Sequence, residues 1–415
     1  MKKLNKKILL GTTALFASAL IATVAEAKPK LDIGGYVRFQ AGFFNDKFAE
    51  TNNRDFQTES QIAFKAKGVA QNGLEYGAEV YMNASTDDGK DGIFNSDVVF
   101  IWMENRCGRL ELGDRDGAAD KTAYYTKRIG FGQAVDGDYE DWLNVNSRSS
   151  VGPKAMDSAE STKITVYMPR MYGFQAGLSY APEFNKGEGV IRTKTHATAV
   201  TAGARDYVSP NDASVVNGLA GNINKQENYL KGNFKDIIEL GANYLTRFDD
   251  VEVRLSGAYV WGEDKNASAA LAGERRDIRA WHVGGQLEWM GWTLGGGYVD
   301  NGKSAQNKAA NLRKADRNAW NVGLAYENGP WAVSANALFE DLGGSSKDGK
   351  YTSYGIGGQY YLAPGIKVAA DLVMFERKFN RNNIPTGNTE PTLNLTGGNN
   401  KDKGYVGIIG TQLDF

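Results

Sequence analysis

The sequence predicts an all-β protein whose sixteen antiparallel strands close into a transmembrane barrel, and three observations carry that prediction. Apolar and polar residues alternate along most of the chain, the alternating runs are mostly nine to fifteen residues long, and the connections between them are by turns long and short. A period of two gives a strand two unlike faces. Strands of soluble sheets are usually about five or six residues, whereas a tilted strand needs about nine to eleven to cross a bilayer.

The first 27 residues stand apart from this pattern. Lys2, Lys3, Lys6 and Lys7 precede an apolar stretch from Ile8 to Ala25, and Ala25-Glu26-Ala27 follows, the charged, apolar and small-residue order of a secretory signal peptide. The chain divides accordingly into a signal peptide, 1 to 27, and a barrel, 28 to 415. After residue 27 no run approaches eighteen consecutive apolar residues, so no transmembrane helix is expected. The whole chain holds 48 basic and 49 acidic residues. Without the four lysines and one glutamate of the leader, 44 and 48 remain, a formal net charge of −4. Neither sign dominates, which argues against a nucleic-acid partner. A single cysteine, Cys107, excludes an intramolecular disulfide framework. Fifty glycines against nine prolines suit twisted strands with close backbone approaches.

The strands are expected at 31 to 44, 55 to 69, 74 to 85, 93 to 105, 108 to 115, 160 to 169, 173 to 182, 232 to 247, 251 to 262, 277 to 289, 292 to 300, 316 to 327, 330 to 340, 350 to 362, 365 to 378 and 403 to 415. Odd-numbered connections are long, among them 116 to 159, 183 to 231 and 379 to 402. Even-numbered ones are tight, such as Met290-Gly291 and Ala363-Pro364. One rim therefore carries turns and the other loops, as in outer-membrane barrels with short periplasmic turns and long external loops. A large secreted β-sandwich would explain the strands but not this regularity.

Facing follows from the pleat. Trp320, Val322, Leu324 and Tyr326 share one face, and aromatics cap aliphatics as in the belts at the two membrane interfaces. On the first strand Val37, Phe39 and Ala41 face lipid, leaving Tyr36, Arg38 and Gln40 inside. Gln61, Lys65 and Lys67 are inside on the second strand and Lys163 on the sixth. Sixteen strands leave a lumen too wide for side chains to fill, so a polar interior implies water. The fourth strand is an exception: Val98-Val99-Phe100-Ile101-Trp102-Met103 is apolar on both faces, as expected at a subunit interface or beneath a folded loop. Tyr405, Ile409, Leu413 and Phe415 form the lipid-facing side of the last strand, which must pair with the first to leave no edge unsatisfied in the bilayer.

Catalysis finds little support. His196 falls in a long loop and His282 on a strand face, neither in a Ser/His/Asp arrangement, and no nucleophile elbow, paired-histidine metal motif or phosphate loop occurs. No metal or other cofactor is expected. A mainly structural or adhesive surface role, built on the long loops at 183 to 231 and 379 to 402, is the rival to a channel.

Four stretches carry a family resemblance: Ile33-Gly34-Gly35-Tyr36-Val37-Arg38; Gly108-Arg109-Leu110-Glu111-Leu112-Gly113; Tyr167-Met168-Pro169-Arg170-Met171-Tyr172-Gly173-Phe174-Gln175; and the terminal Phe415. In order and spacing the chain resembles the Gram-negative general diffusion porins, sixteen-stranded trimeric barrels, and especially their alphaproteobacterial branch. The resemblance implies a homotrimer in the cell outer membrane, surrounded by outer-membrane lipid and lipopolysaccharide, passing small hydrophilic solutes and ions by passive diffusion. It implies that the third loop, 116 to 159, folds into the lumen and sets acids against wall bases. The acids favoured for this constriction are Asp136, Asp138, Glu140 and Asp141, and the bases Arg38, Lys65 and Lys163. The family's Pro-Glu-Phe-Gly-Gly turn is missing, and Phe131 to Glu140 occupies its place. The aromatic-ended last strand, with Tyr405, Ile409, Leu413 and Phe415, resembles the signal read by the barrel-assembly machinery.

Overall fold

The computed structural model describes residues 29–46, 53–83, 95–143, 147–184, 234–265, 276–305, 316–342, 349–378 and 401–415. The expected signal peptide, His196 and most of the loops at 183 to 231 and 379 to 402 lie outside them. Sixteen strands run in chain order: β1 Lys30–Asn45, β2 Arg54–Val69, β3 Glu75–Asn83, β4 Asn95–Asn105, β5 Gly108–Asp114, β6 Thr162–Tyr167, β7 Phe174–Glu183, β8 Phe234–Phe248, β9 Val251–Asp264, β10 Ile278–Trp289, β11 Trp292–Gly302, β12 Arg317–Asn328, β13 Trp331–Asp341, β14 Lys350–Ala363, β15 Ile366–Lys378 and β16 Lys401–Asp414. Between β5 and β6 lie a helical turn, α1 (Ala118–Lys121), and a 3₁₀ turn at Asp138–Trp142.

Every strand pairs antiparallel with its neighbours in sequence, and β1 pairs with β16 to close the barrel. The closing register sets Ala41 opposite Ile409 and Tyr36 opposite Asp414. One step further, the Gly35 amide donates to the Phe415 carbonyl and the Phe415 amide to the Gly35 carbonyl, each at 3.0 Å. The last residue thus completes the ladder that leaves no open edge. Tight turns join alternate pairs; at Met290-Gly291 both residues have positive φ, 47° and 83°, the geometry of a two-residue hairpin whose twist matches the strands.

The two faces divide as the pleat requires. Trp320, Val322 and Leu324 are exposed while Asn321, between the first two, is buried. Aromatics of the apolar face gather at two levels. Trp281, Tyr298 and Trp320 cluster near the rim of long connections, with ring centroids 5.3 and 4.7 Å apart, and Trp292 with Tyr326 and Trp331 with Tyr360 sit near the rim of turns at 4.6 and 4.4 Å. An apolar band between aromatic girdles is the outside of a membrane barrel.

The doubly apolar fourth strand has work on its inward side. Phe100 and Trp102 point to the buried face and serve as beds for cations: the Arg115 guanidinium lies 4.0 Å from the Phe100 ring centroid and that of Arg109 4.4 Å from Trp102.

Candidate functional site

Residues 115 to 161 leave β5 and return to β6, and their backbone is fastened to side chains of the buried face. The outward arm begins at α1, where the Ala118 amide donates to Ser179 Oγ of β7 (2.7 Å) and the Ala119 amide to Glu239 Oε2 of β8 (3.1 Å). Next, the Tyr124 amide donates to Ser256 Oγ of β9 (2.7 Å), and Gln286 of β10 donates to the Tyr125 carbonyl (2.6 Å). The Thr126 amide reaches Asn321 of β12 (3.2 Å), that of Ile129 Ser334 of β13 (3.1 Å), and that of Phe131 Asp371 of β15 (2.8 Å). The arm ends at the 3₁₀ turn, where Tyr139 and Tyr351 of β14 share a hydroxyl contact of 2.7 Å and Trp142 packs on Phe44 of β1.

The return arm follows the same strands nearer the rim of long connections. Glu340 of β13 accepts the amides of Ser150, Val151 and Gly152 at 2.9, 3.0 and 2.8 Å, and the Ser149 hydroxyl as well. Arg377 of β15 donates to the Arg148 carbonyl (2.6 Å). The amides of Ala155 and Met156 donate to His282 Nδ1 of β10 and Asn301 Oδ1 of β11, at 3.1 and 2.9 Å. The Ser158 amide then meets the second oxygen of Glu239 at 3.0 Å. Ser334 and Glu340, or Asp371 and Arg377, lie six positions apart on one strand, so the two arms are about 20 Å apart along it.

Glycines mark the outward arm's track. A Cβ at Gly241 would stand 2.1 Å from the Ala118 carbonyl oxygen, one at Gly284 2.0 Å from that of Tyr124, and one at Gly357 2.4 Å from that of Ile129. Each is on the buried face of its strand, and each absence of a side chain admits loop backbone.

The four acids singled out from the sequence come together. Asp136, Asp138, Glu140 and Asp141 all line one cavity of about 290 Å³, closed on its other side by Ser149 to Pro153. Their environments differ. Asp138 pairs with Arg38 of β1 at 2.6 Å, and its carboxyl is pushed up to about 6, mainly by burial, which outweighs Arg38. Glu140 is pushed up to about 8, first by burial and then by Glu340, so it is largely neutral at pH 7. Asp136 accepts the Tyr125 hydroxyl (2.9 Å) and pairs with Arg128 (3.1 Å), a base of the loop itself, and Asp141 lies 4.0 Å from another, Arg148.

The three bases have three different settings. Arg38 bridges Glu59 of β2 and Asp138. Lys163 is buried and donates to the carbonyls of Arg115 (2.5 Å) and Ala159, clasping the two ends of the loop. Lys65 stands on the wall of β2 with its ammonium 5.3 Å from the Tyr81 ring centroid. From β2 to β5 the buried face is a mesh of long charged side chains: Lys67 with Glu75 (2.7 Å), and Arg109 with Glu104 (3.0 Å) and Glu111 (2.7 Å). Sequence reasoning missed the anchors Glu239, Glu340 and Asp371. Their signal was a carboxylate whose neighbours two residues away along the chain are small or apolar: Ile237 and Gly241, Leu338 and Leu342, Ala369 and Val373.

Among the described residues no group of histidine, cysteine and carboxylate side chains is arranged to hold a metal ion. Cys107 is an exposed thiol in the β4–β5 turn.

The chain has relatives along its whole length. An uncharacterized protein of Rickettsia prowazekii (strain Madrid E) is 22% identical, over 99% of this chain and 100% of that one. Another, of Rickettsia bellii (strain RML369-C), is 23% identical over 100% of both. Among solved structures, a mutant of the Rh. blastica porin superposes with a TM-score of 0.54 at 16% identity, covering 93% of this chain and 100% of that one. A triple mutant of Rhodopseudomonas blastica porin gives 0.53 at 17%, with the same coverage. These likenesses establish the fold. The family model described as Gram-negative porin matches residues 11–380, and the chain, an outer-membrane multi-pass β-barrel, belongs to that family.

Proposed function

We propose that the protein is a water-filled channel through which small hydrophilic solutes and ions diffuse passively, narrowed by residues 116 to 159 folded into the lumen. One observation carries this reading. The loop's backbone hydrogen-bonds to buried-face side chains on β7 to β10, β12, β13 and β15, strands that span much of a closed barrel whose opposite face is apolar and girdled by aromatics. A loop held in that way occupies the inside, and the passage is left along the charged wall of β1 to β5. Solutes then move between that wall and the loop, driven by their own gradient, and no cofactor is required.

In this reading Arg38 and Asp138 mark where loop and wall meet, with Asp136 and Asp141 as further acids and Lys65 as an open base of the far side. Charges of both signs around a narrow, partly dehydrated passage create a transverse field that orders water and polar solutes and disfavours apolar ones. Homotrimeric assembly follows from the porin resemblance.

Reconstitution in planar bilayers tests the reading. Stepwise conductance in groups of three is expected, and a complete lack of conductance would overturn it. Replacing Asp136, Asp138 and Asp141 by Asn and Glu140 by Gln should shift the reversal potential in a salt gradient towards anions. An unchanged potential would make these acids packing residues only.

A further inference from the structure

The inner face of the closing seam can be read row by row, because the register runs from β15 through β16 and β1 to β2. Lys367, Gln412, Arg38 and Glu59 form one row, and Ala369, Gly410, Gln40 and Gln57 the next towards the rim of long connections. Ala369 and Gly410 are small, and the Phe131 ring of the loop fills the space they leave: a Cβ at Gly410 would stand 3.1 Å from it. The ring thus overhangs the row below, where it meets two cations at once. The Arg38 guanidinium lies 5.0 Å from its centroid and the Lys367 ammonium 5.2 Å.

The two cations are not alike. Arg38 is matched twice, by Glu59 and by Asp138 at 2.6 Å. The Lys367 ammonium has no hydrogen bond and no carboxylate within 4 Å among the described residues. The carboxylates that face it are Asp414, Asp138 and Asp371, and each is engaged elsewhere. Asp414 takes the Gln412 amide (2.7 Å), Asp138 pairs with Arg38, and Asp371 accepts the Phe131 amide (2.8 Å) and the Gln133 side chain (2.6 Å). The Lys367 side chain is half-buried, and its ammonium stays open to solvent. An aromatic ring attracts a cation without cancelling its charge. Phe131 therefore holds Lys367 in place and leaves its field intact. Lys367 is the second residue of β15, four positions and about 13 Å before the Asp371 anchor, so it stands on the turn side of the loop.

We propose that Lys367 is an anion-binding subsite, taking the carboxylate or phosphate group of a small solute on the turn side of the loop, a role that rests on the channel proposed above. An ammonium carries three donors, and with no acceptor in the fold it can offer them all to one oxyanion. Such charge-assisted hydrogen bonds are the strong kind. A single cation holds the anion only briefly, as conduction requires of a site that must also let go. Phe131 is the positioning residue. Without its ring the flexible four-carbon stem is free to swing towards Asp414, and the open donors are lost.

Citrate, a small carboxylate anion, is the probe, and two measurements use the refolded barrel. Calorimetric titration in zwitterionic detergent reads binding, and block of the potassium chloride current in planar bilayers reads passage. Lys367→Gln should weaken citrate binding and raise the half-blocking concentration, each about tenfold. Lys30→Gln removes the same charge from the same rim, where Lys30 is paired with Asp32 at 2.7 Å. It should change neither by more than about twofold. Phe131→Leu should weaken both about threefold, and Phe131→Tyr, which restores a ring, should recover them. Equal effects of Lys367→Gln and Lys30→Gln would overturn the subsite in favour of the general field of the rim, and unchanged binding in Lys367→Gln would overturn it outright. A leucine variant that binds citrate as tightly as the unmodified protein would remove the positioning role of Phe131. If Lys367→Gln does not refold, the leucine and tyrosine variants decide the matter. A barrel that conducts nothing would end the channel reading, while calorimetry in detergent would still report whether Lys367 binds the anion.

Discussion

Where loop backbone lies on it, the buried face of β7 to β16 offers serines, asparagines, glutamines, glycines and the carboxylates of Glu239, Glu340 and Asp371, whereas from β2 to β5 it is built largely of arginines, lysines and glutamates that pair with one another. The first half is short because loop backbone lies on it. Each peptide group brought there must find a partner or leave a buried donor unmet, at a cost of about 1–3 kcal/mol each, and Glu239, Glu340 and Asp371 meet two, three and one amides in turn. The second half has no such backbone to hold. Its long side chains extend from the wall, and pairs such as Arg109 with Glu111 and Lys67 with Glu75 keep the ladder of charges nearly neutral. The same barrel thus carries one wall that fixes a loop and one that meets water, and substitutions on the two walls should differ in kind.

The largest effect is expected at Glu340. Glu340→Ala strands three amides, two of them buried, and takes a carboxylate from beside Arg377, and should cost about 3–5 kcal/mol in urea unfolding of the refolded barrel. Protease should also gain access between 147 and 160. A cost below about 1 kcal/mol would mean that the return arm is not held by this carboxylate. Gly284→Val comes next: its side chain would enter the space of the Tyr124 carbonyl, 2.0 Å from an added Cβ. Overpacking of this kind costs about 1–3 kcal/mol. Here the loop can shift to relieve it, so a changed single-channel conductance should accompany the loss of stability; a stable variant of unaltered conductance would show that the outward arm is not seated on this strand.

Protonation gives a smaller, graded effect. Burial, then Glu340, raises the Glu140 carboxyl in the folded chain to about 8, well above the ordinary value near 4.3. The folded state therefore binds this proton more tightly than the unfolded one, and stability falls as pH rises from about 4 to about 8, then levels. Asp138 acts in the same direction over the narrower span from about 4 to about 6. Glu140→Gln should match the unmodified protein at pH 4, exceed it at pH 8, and flatten the profile between. Profiles of equal slope would show that Glu140 is ionised and solvated in the fold.

The fold was legible from the sequence because its determinants are local. Each strand's facing depends on residues two apart, and connection length can be counted directly. The cavity-lining acids were legible to the extent that they lie within six residues of one another, at 136 to 141. The anchors were not. Glu239 is 120 positions from Ala119 and Asp371 is 240 from Phe131, and nothing in either neighbourhood says which strand the loop crosses or at what height. The role of Phe100 and Trp102 as beds for Arg109 and Arg115 was hidden for the same reason. The glycines at 241, 284 and 357 were visible, but as features of twisted strands in general and not as a track.

The smallest change in stability is expected on the open wall. Lys65 stands over the Tyr81 ring, 5.3 Å from its centroid, and holds no loop carbonyl, in contrast to Lys163, which clasps both ends of the loop. A partly exposed cation of this kind is worth about 0–1 kcal/mol. Lys65→Ala should leave the unfolding midpoint within the scatter of repeated measurements while moving ion selectivity towards cations. Lys163→Ala should do the reverse, losing the clasp and with it stability, because the carbonyls of Arg115 and Ala159 then keep no ammonium between them. Equal losses of stability in the two variants would erase the distinction between the walls. A selectivity shift confined to Lys65→Ala would locate the solute path on the side of β1 to β5.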